Sequence, residues 1–124
     1  MLEALERAGG PMLTVLVGHD TNIGDLSGLL DFDWQVTGYA VDTPPPGGGI
    51  GFELLVDRTG ERYVRVFYRS QTLQQIRELT PLNAAHPPFR QALAIPGCAL
   101  PGDATRCSLD TFVTLVRSKL ISAP

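Results

Sequence analysis

Residues 42–49 read Asp-Thr-Pro-Pro-Pro-Gly-Gly-Gly, and no regular helix or strand interior runs through such a block. Prolines remove backbone donors and fix φ, and glycines lose the most conformational freedom on ordering. The block is the core of a long connection over residues 31–49 that divides this 124-residue chain. A connection of that length inside a compact domain is often functional, and a solvated spacer is the alternative.

Beyond the block the hydrophobic period is two. Ile50, Phe52, Leu54 and Val56 share one face of a predicted strand. Asp57-Arg58-Thr59-Gly60-Glu61 reads as a turn, and residues 62–69 alternate again, with Val64, Val66 and Tyr68 opposite Tyr63, Arg65 and Phe67. Two alternating runs about a glycine-containing turn predict an antiparallel hairpin. Leu73, Ile76 and Leu79 are spaced for a short helix over 71–79, and Phe89, Gln91, Leu93 and Ile95 for a returning strand over 89–95. Ser108 suits the N-cap of a last helix, with Asp110 in its first turn and Phe112, Leu115, Val116 and Leu120 as its apolar stripe.

Ahead of the block, residues 2–8 predict one or two helical turns ended by Gly9-Gly10-Pro11. Met12-Leu13-Thr14-Val15-Leu16-Val17 is a continuous apolar run with β-branched members, the pattern of a buried parallel strand. Ile23, Leu26, Leu29 and Leu30 then mark a short amphipathic helix over 22–30. The order is strand, helix, hairpin, helix, strand, helix, which is an α/β layer. The first strand reads as central, yet few parallel partners for it occur within these residues, so several strands of the sheet are expected to be missing. An unpaired strand exposes donors and acceptors that favour pairing with another chain, so a homo-oligomer is expected.

Charge and composition narrow the partners. The net charge is −3 with acids and bases interspersed and no run of Lys or Arg, which argues against nucleic acid. Apolar stretches fall short of the roughly 20 residues of a membrane span, so no membrane is expected. Met1-Leu2-Glu3-Ala4-Leu5-Glu6-Arg7 is a polar helical pattern, unlike a signal peptide. Cys98 and Cys107 flank a polar loop with Pro101-Gly102 as its turn. Such a loop can bring two sulfurs within bonding distance, and two free thiols are the alternative. Two cysteines without partner histidines make a poor metal site.

One segment carries chemistry. Gly18-His19-Asp20-Thr21-Asn22 follows the apolar run and opens the helix. Ligands of open α/β sheets bind at strand C-termini, and free helix-terminal amides help to hold an anion there. His19 can donate hydrogen bonds to phosphate oxygens. Asp20 beside a bound phosphate is disfavoured as a carboxylate by like charge, and its protonated form can serve a leaving alkoxide as general acid. Thr21 and Asn22 can bind substrate or cap the helix. The competing reading of the whole segment is structural, with Asp20 or Asn22 as a helix cap. His86, in Asn83-Ala84-Ala85-His86-Pro87-Pro88, reads as an exposed loop residue, and the 44–49 stretch lacks the Lys and Ser/Thr of a phosphate-cradling loop.

These segments in order resemble the histidine acid phosphatases. Gly18 to Asn22, Asp42 to Gly48, Phe52-Glu53, Ser70-Gln71-Thr72-Leu73-Gln74-Gln75-Ile76-Arg77, Pro96-Gly97-Cys98 and Cys107-Ser108-Leu109 carry the resemblance, which runs from about residue 12 to residue 120. The branch it is most similar to is that of the bacterial periplasmic phytases and glucose-1-phosphatases. The resemblance implies a partial phosphoglycerate-mutase-like layer, the C-terminal segment (1–124) of an α/β phosphatase domain without its N-terminal strands and inserted helical domain. It implies a phosphomonoester substrate, a phosphohistidine intermediate, His19 lining the phosphate site and Asp20 as proton donor. It implies a Cys98–Cys107 disulfide, a periplasmic location, and neither metal nor organic cofactor. The family's nucleophile lies in an Arg-His-Gly-x-Arg-x-Pro motif, which does not occur in these residues. The resemblance therefore implies an isolated chain that is inactive until completed by a segment bearing that histidine. The alternative is a non-enzymatic remnant that associates with itself or with a partner.

Overall fold

The structure, a computed structural model, describes residues 1–7 and 9–122. Ala8, at the end of the helix expected over 2–8, lies outside the described residues, as do Ala123 and Pro124 of the expected 1–124 segment. In chain order the elements are α1 (Leu2–Glu6), α2 (Asp20–Leu30), β1 (Gly49–Val56), β2 (Arg62–Ser70), α3 (Leu73–Arg77), β3 (Phe89–Leu93), β4 (Arg106–Ser108) and α4 (Leu109–Ser122).

The expected hairpin forms, and β2 is the spine of the sheet. β1 pairs antiparallel along its whole length, from Gly49 opposite Arg69 to Val56 opposite Arg62. The other edge of β2 is shared, with β3 along Val66–Ser70 and β4 along Tyr63–Arg65. Asp57 locks the turn, its Oδ1 accepting from Thr59 N at 2.8 Å, Thr59 Oγ1 at 2.7 Å and Glu61 N at 3.0 Å. These bonds, the Thr59 hydroxyl foremost, hold its carboxyl below the ordinary carboxylate value.

Alternation along β2 puts Val64, Val66 and Tyr68 in the core, as the period predicts. They join Leu93 and Ile95, and Leu109, Phe112, Val113 and Val116 at the start of and along α4. Ser108 caps α4 by accepting from Thr111 N at 3.1 Å. Leu120, expected in the apolar stripe, is exposed, whereas Phe112, Val113 and Val116 earlier in α4 are buried. Leu79, expected in the 71–79 helix, lies past the end of α3 with φ +51° and is exposed.

The 31–49 connection is not a spacer. Phe32, Trp34 and Val36 are buried at alternate positions. Trp34 stacks on Tyr68 at 4.7 Å with ring planes 9° apart. Asp42 closes the loop around it, its Oδ1 accepting from Trp34 N at 3.0 Å while its own N donates to Trp34 O at 2.9 Å. Trp34 Nε1 donates to Thr43 O at 3.1 Å. Gly48 then passes so close to the Tyr68 hydroxyl that a Cβ has no room.

Cys98 and Cys107 are joined, both buried, with Cα atoms 5.0 Å apart, so the disulfide implied by the resemblance is present. The bond ties the end of the β3 segment to β4, a strand of three residues too short to be seen in the sequence.

The run at 12–17 departs from expectation. It is neither a strand nor buried. Met12, Leu13, Val15, Leu16 and Val17 are between 71% and 105% exposed. The composition is that of a central strand, but a strand exists only through its ladder, and none of β1 to β4 pairs with this run. No helix among the described residues is long and apolar enough to cross a membrane.

Candidate functional site

The segment with chemistry sits where the exposed run turns into α2. His19 is the N-cap, extended at φ −106° and ψ 171°, and Asp20 is the first helical residue. Helix start and capping geometry follow from Asn22 folding back, its Oδ1 accepting from His19 N at 2.8 Å. Asn22 N in turn donates to His19 O at 3.1 Å. The backbone at Gly18 makes the fold-back possible, since a Cβ there would come within 2.7 Å of Asn22 Oδ1. Asp20 curls over the helix start, with Oδ1 accepting from Thr21 N at 2.8 Å. At its far end α2 is stopped by Asp31, left-handed at φ 58°, whose N–H donates to Ser27 O. Leu30 there is fully buried and anchors the helix in the core.

The turn thus presents an imidazole, a carboxyl, a hydroxyl and an amide within one helical turn, all exposed to solvent. Asn22 and Asp20 also satisfy the helix terminus, so the capping reading and the chemical reading coexist on the same residues. His86 lies on a separate exposed loop, its N–H donating to Asn83 Oδ1 at 3.0 Å. It is not brought to the turn. The long loop contributes its own acidic feature, where the Asp42 carboxylate, helped by desolvation and a hydrogen bond, raises Asp33 above its ordinary value.

Residues 11–69 match the family model of the histidine phosphatase superfamily (branch 2). Over 111 residues the chain is 37% identical to phytase AppA of Escherichia coli (strain K12), covering 87% of this chain and 25% of that protein. The chain belongs to the histidine phosphatase superfamily. A glucose-1-phosphatase of Salmonella typhimurium is 35% identical over 109 residues, covering 86% of this chain and 26% of the relative. The solved Hafnia alvei phytase in complex with myo-inositol hexakis sulphate superimposes with a TM-score of 0.79 at 34% identity, covering 95% of this chain and 32% of that chain. The chain therefore spans about a quarter of the length of the curated relatives it matches. The matched segment holds the exposed apolar run, the 18–22 turn and the loop that closes on Trp34.

Two structural features were not singled out by sequence reasoning. Trp34 and its clasp by Asp42 had a readable signal in the period-two spacing of Phe32, Trp34 and Val36. The close approach of Gly48 to Tyr68 had none, because it depends on tertiary packing.

Proposed function

We propose that this chain supplies the proton-donating side of a phosphomonoesterase site of phytase or sugar-phosphatase type. The observation that carries the reading is the Gly18–Asn22 turn, with His19 and Asp20 exposed side by side at the N-terminus of α2. In this reading a histidine from an Arg-His-Gly segment attacks phosphorus, and the bond to the ester oxygen breaks. The Asp20 carboxyl gives its proton to that leaving oxygen. Water then attacks the phosphohistidine, its proton passes to the Asp20 carboxylate, and phosphate leaves. His19 donates to the phosphate oxygens. Asn22 has committed Oδ1 to the His19 N–H, so what it offers a phosphate is its Nδ2–H, and Thr21 adds a hydroxyl. The buried Cys98–Cys107 bond supports an oxidising compartment such as the periplasm.

A chimera tests the reading. This chain replaces the matching quarter of the Escherichia coli relative, and phosphatase activity and phosphohistidine are measured. The chimera is expected to hydrolyse phosphomonoesters and the isolated chain to show neither activity nor phosphohistidine above trace. Robust activity from the 124 residues alone contradicts the reading.

One observation favours a second, non-enzymatic role. The run at 12–17 is uncharged, apolar except for Thr14, and exposed, and two copies can pair through it. Sedimentation of the isolated chain distinguishes this homo-oligomer from a monomer that stays monodisperse at high concentration.

A further inference from the structure

The sheet ends on one side at β1, which among the described residues pairs only with β2. Folded proteins blunt such an edge with a short strand, a proline, a lysine or a bulge, or they cover it. β1 uses none of the first four devices. It has eight residues, Gly49 to Val56, with neither proline nor lysine. Its register with β2 is continuous, so no bulge turns it away. Its one charge, Glu53, is engaged by Arg90 at 2.7 Å and Arg65 at 3.9 Å. Leu54 and Val56 stay 38% and 62% exposed on the side of β1 that carries Phe52, whose ring meets Phe112. The apolar side of β1 is thus only partly covered. The opposite side of β2 is divided between strands of five and three residues, so β1 is the longest outer strand of the sheet.

The same chain holds the complement, a strand-forming segment without a ladder. Drawn out as a strand, residues 12–17 carry Leu13, Val15 and Val17 on one side and Met12, Thr14 and Leu16 on the other. Six residues span about 20 Å, within the roughly 26 Å of an eight-residue edge. The run is held between two anchored helices. Leu5 of α1 and Leu30 of α2 are buried, and Arg117 Nη2 donates to Glu6 Oε1 at 3.0 Å. Pairing therefore orders the run and not the elements that flank it, which keeps the entropic cost of association low. Side chains of this size carry about 100 Å² of apolar surface each. Two runs seated on two edges withdraw on the order of 1,000 Å² from the runs alone. The edges they cover bring the total into the roughly 1,200–2,000 Å² of a stable protein pair.

We infer that the 12–17 run of one copy seats on the outer edge of β1 of a second copy, and that the exchange is reciprocal. The Leu13, Val15 and Val17 side then extends the apolar side of β1 and covers Leu54 and Val56. Two-fold symmetry closes the pair, so neither an edge nor a run is left over to grow a fibre. The inference rests on the homo-oligomer reading, to which it adds the surface that receives the run, and it uses none of residues 18–22.

The test is sedimentation equilibrium of the whole chain together with hydrogen–deuterium exchange over a range of concentrations. A monomer–dimer equilibrium is expected, with exchange slowed at both 12–17 and 49–56 as the dimer forms. Leu54→Lys puts a charge on the edge and Val15→Lys puts one in the run, and each is expected to weaken the dimer about tenfold or more. A mixture of the two variants restores one unaltered run-on-edge contact, so a mixed pair tighter than either variant's own pair is expected. Circular dichroism checks that the variants fold, and the exchange pattern of the unaltered chain decides the matter without them. A dimer that slows exchange at 12–17 alone and is indifferent to Leu54→Lys overturns the β1 seat and leaves the homo-oligomer reading standing. A chain that stays monomeric at every concentration overturns both. Open-ended assembly overturns the closed pair.

Discussion

Gly18 is a position where the missing side chain shapes its neighbours. The Asn22 carboxamide occupies the space a Cβ would take and thereby holds the His19 N–H. Gly18→Ala is expected to push Asn22 away and cost about 1 kcal/mol, the worth of a typical hydrogen bond. The check is faster amide exchange at His19 together with a lower denaturant midpoint. Tyr68 presents the opposite case. Its hydroxyl is buried with no hydrogen-bond partner among the described residues, and burial pushes its pKa up to about 12 from 10.0. Tyr68→Phe is expected to leave stability unchanged or raise it by up to about 1 kcal/mol, because no bond is lost and a desolvated hydroxyl is removed. The folded state keeps this phenol neutral while the unfolded chain ionises. The associated stability is therefore full below pH 10 and lost as pH rises from 10.0 toward about 12. Thermal melts across that range should fall less steeply in Tyr68→Phe. At this scale the candidate site was legible, since His, Asp and Asn after an apolar run announce themselves. The Tyr68 clash zone was not, because nothing local marks the chain that passes over it.

Elements differ in how much of their cause is local. The β1–β2 hairpin was legible because both alternating strands and the Asp57 turn lie in one continuous stretch, Gly49 to Ser70. α2 was legible in its apolar spacing, and its start two residues earlier than expected reflects Asp20 entering the helix while His19 caps it. The 12–17 run was misread for a physical reason. Apolar composition selects residues suited to a central strand but does not supply the neighbouring ladder. β4 was missed because three residues are held by the disulfide and by β2, not by their own pattern. Gly24 and Gly28 lie within α2, where an added Cβ would meet nothing within 4 Å. Gly24→Ala and Gly28→Ala are each expected to stabilise the isolated chain by about 0.5–1 kcal/mol through reduced unfolded-state freedom and better helix propensity. Urea unfolding monitored by circular dichroism measures this, and a loss of stability at either position contradicts the open environment.

Taken whole, the molecule is a sheet with one helix-covered face, carrying a solvent-exposed apolar run and the solvent-exposed Gly18–Asn22 turn. The fold class and the family were legible because the ordered segments from Gly18 to Leu109 span most of the chain. The register that sets Arg65 opposite Arg106 and Arg69 opposite Arg90 was not, since these residues are dispersed in sequence and meet only across the strands. The central claim concerns Asp20, and a leaving-group comparison in the chimera with the Escherichia coli relative tests it most directly. Hydrolysis of an alkyl phosphate and of a nitrophenyl phosphate is measured for the unaltered chimera and for Asp20→Asn. An alkoxide leaves only with a proton, so the alkyl ester is expected to lose about 10²- to 10⁴-fold, the usual worth of general acid catalysis. A nitrophenolate needs little protonation, so that ester is expected to lose far less. Equal losses on the two esters would contradict the assignment of Asp20 as the proton donor.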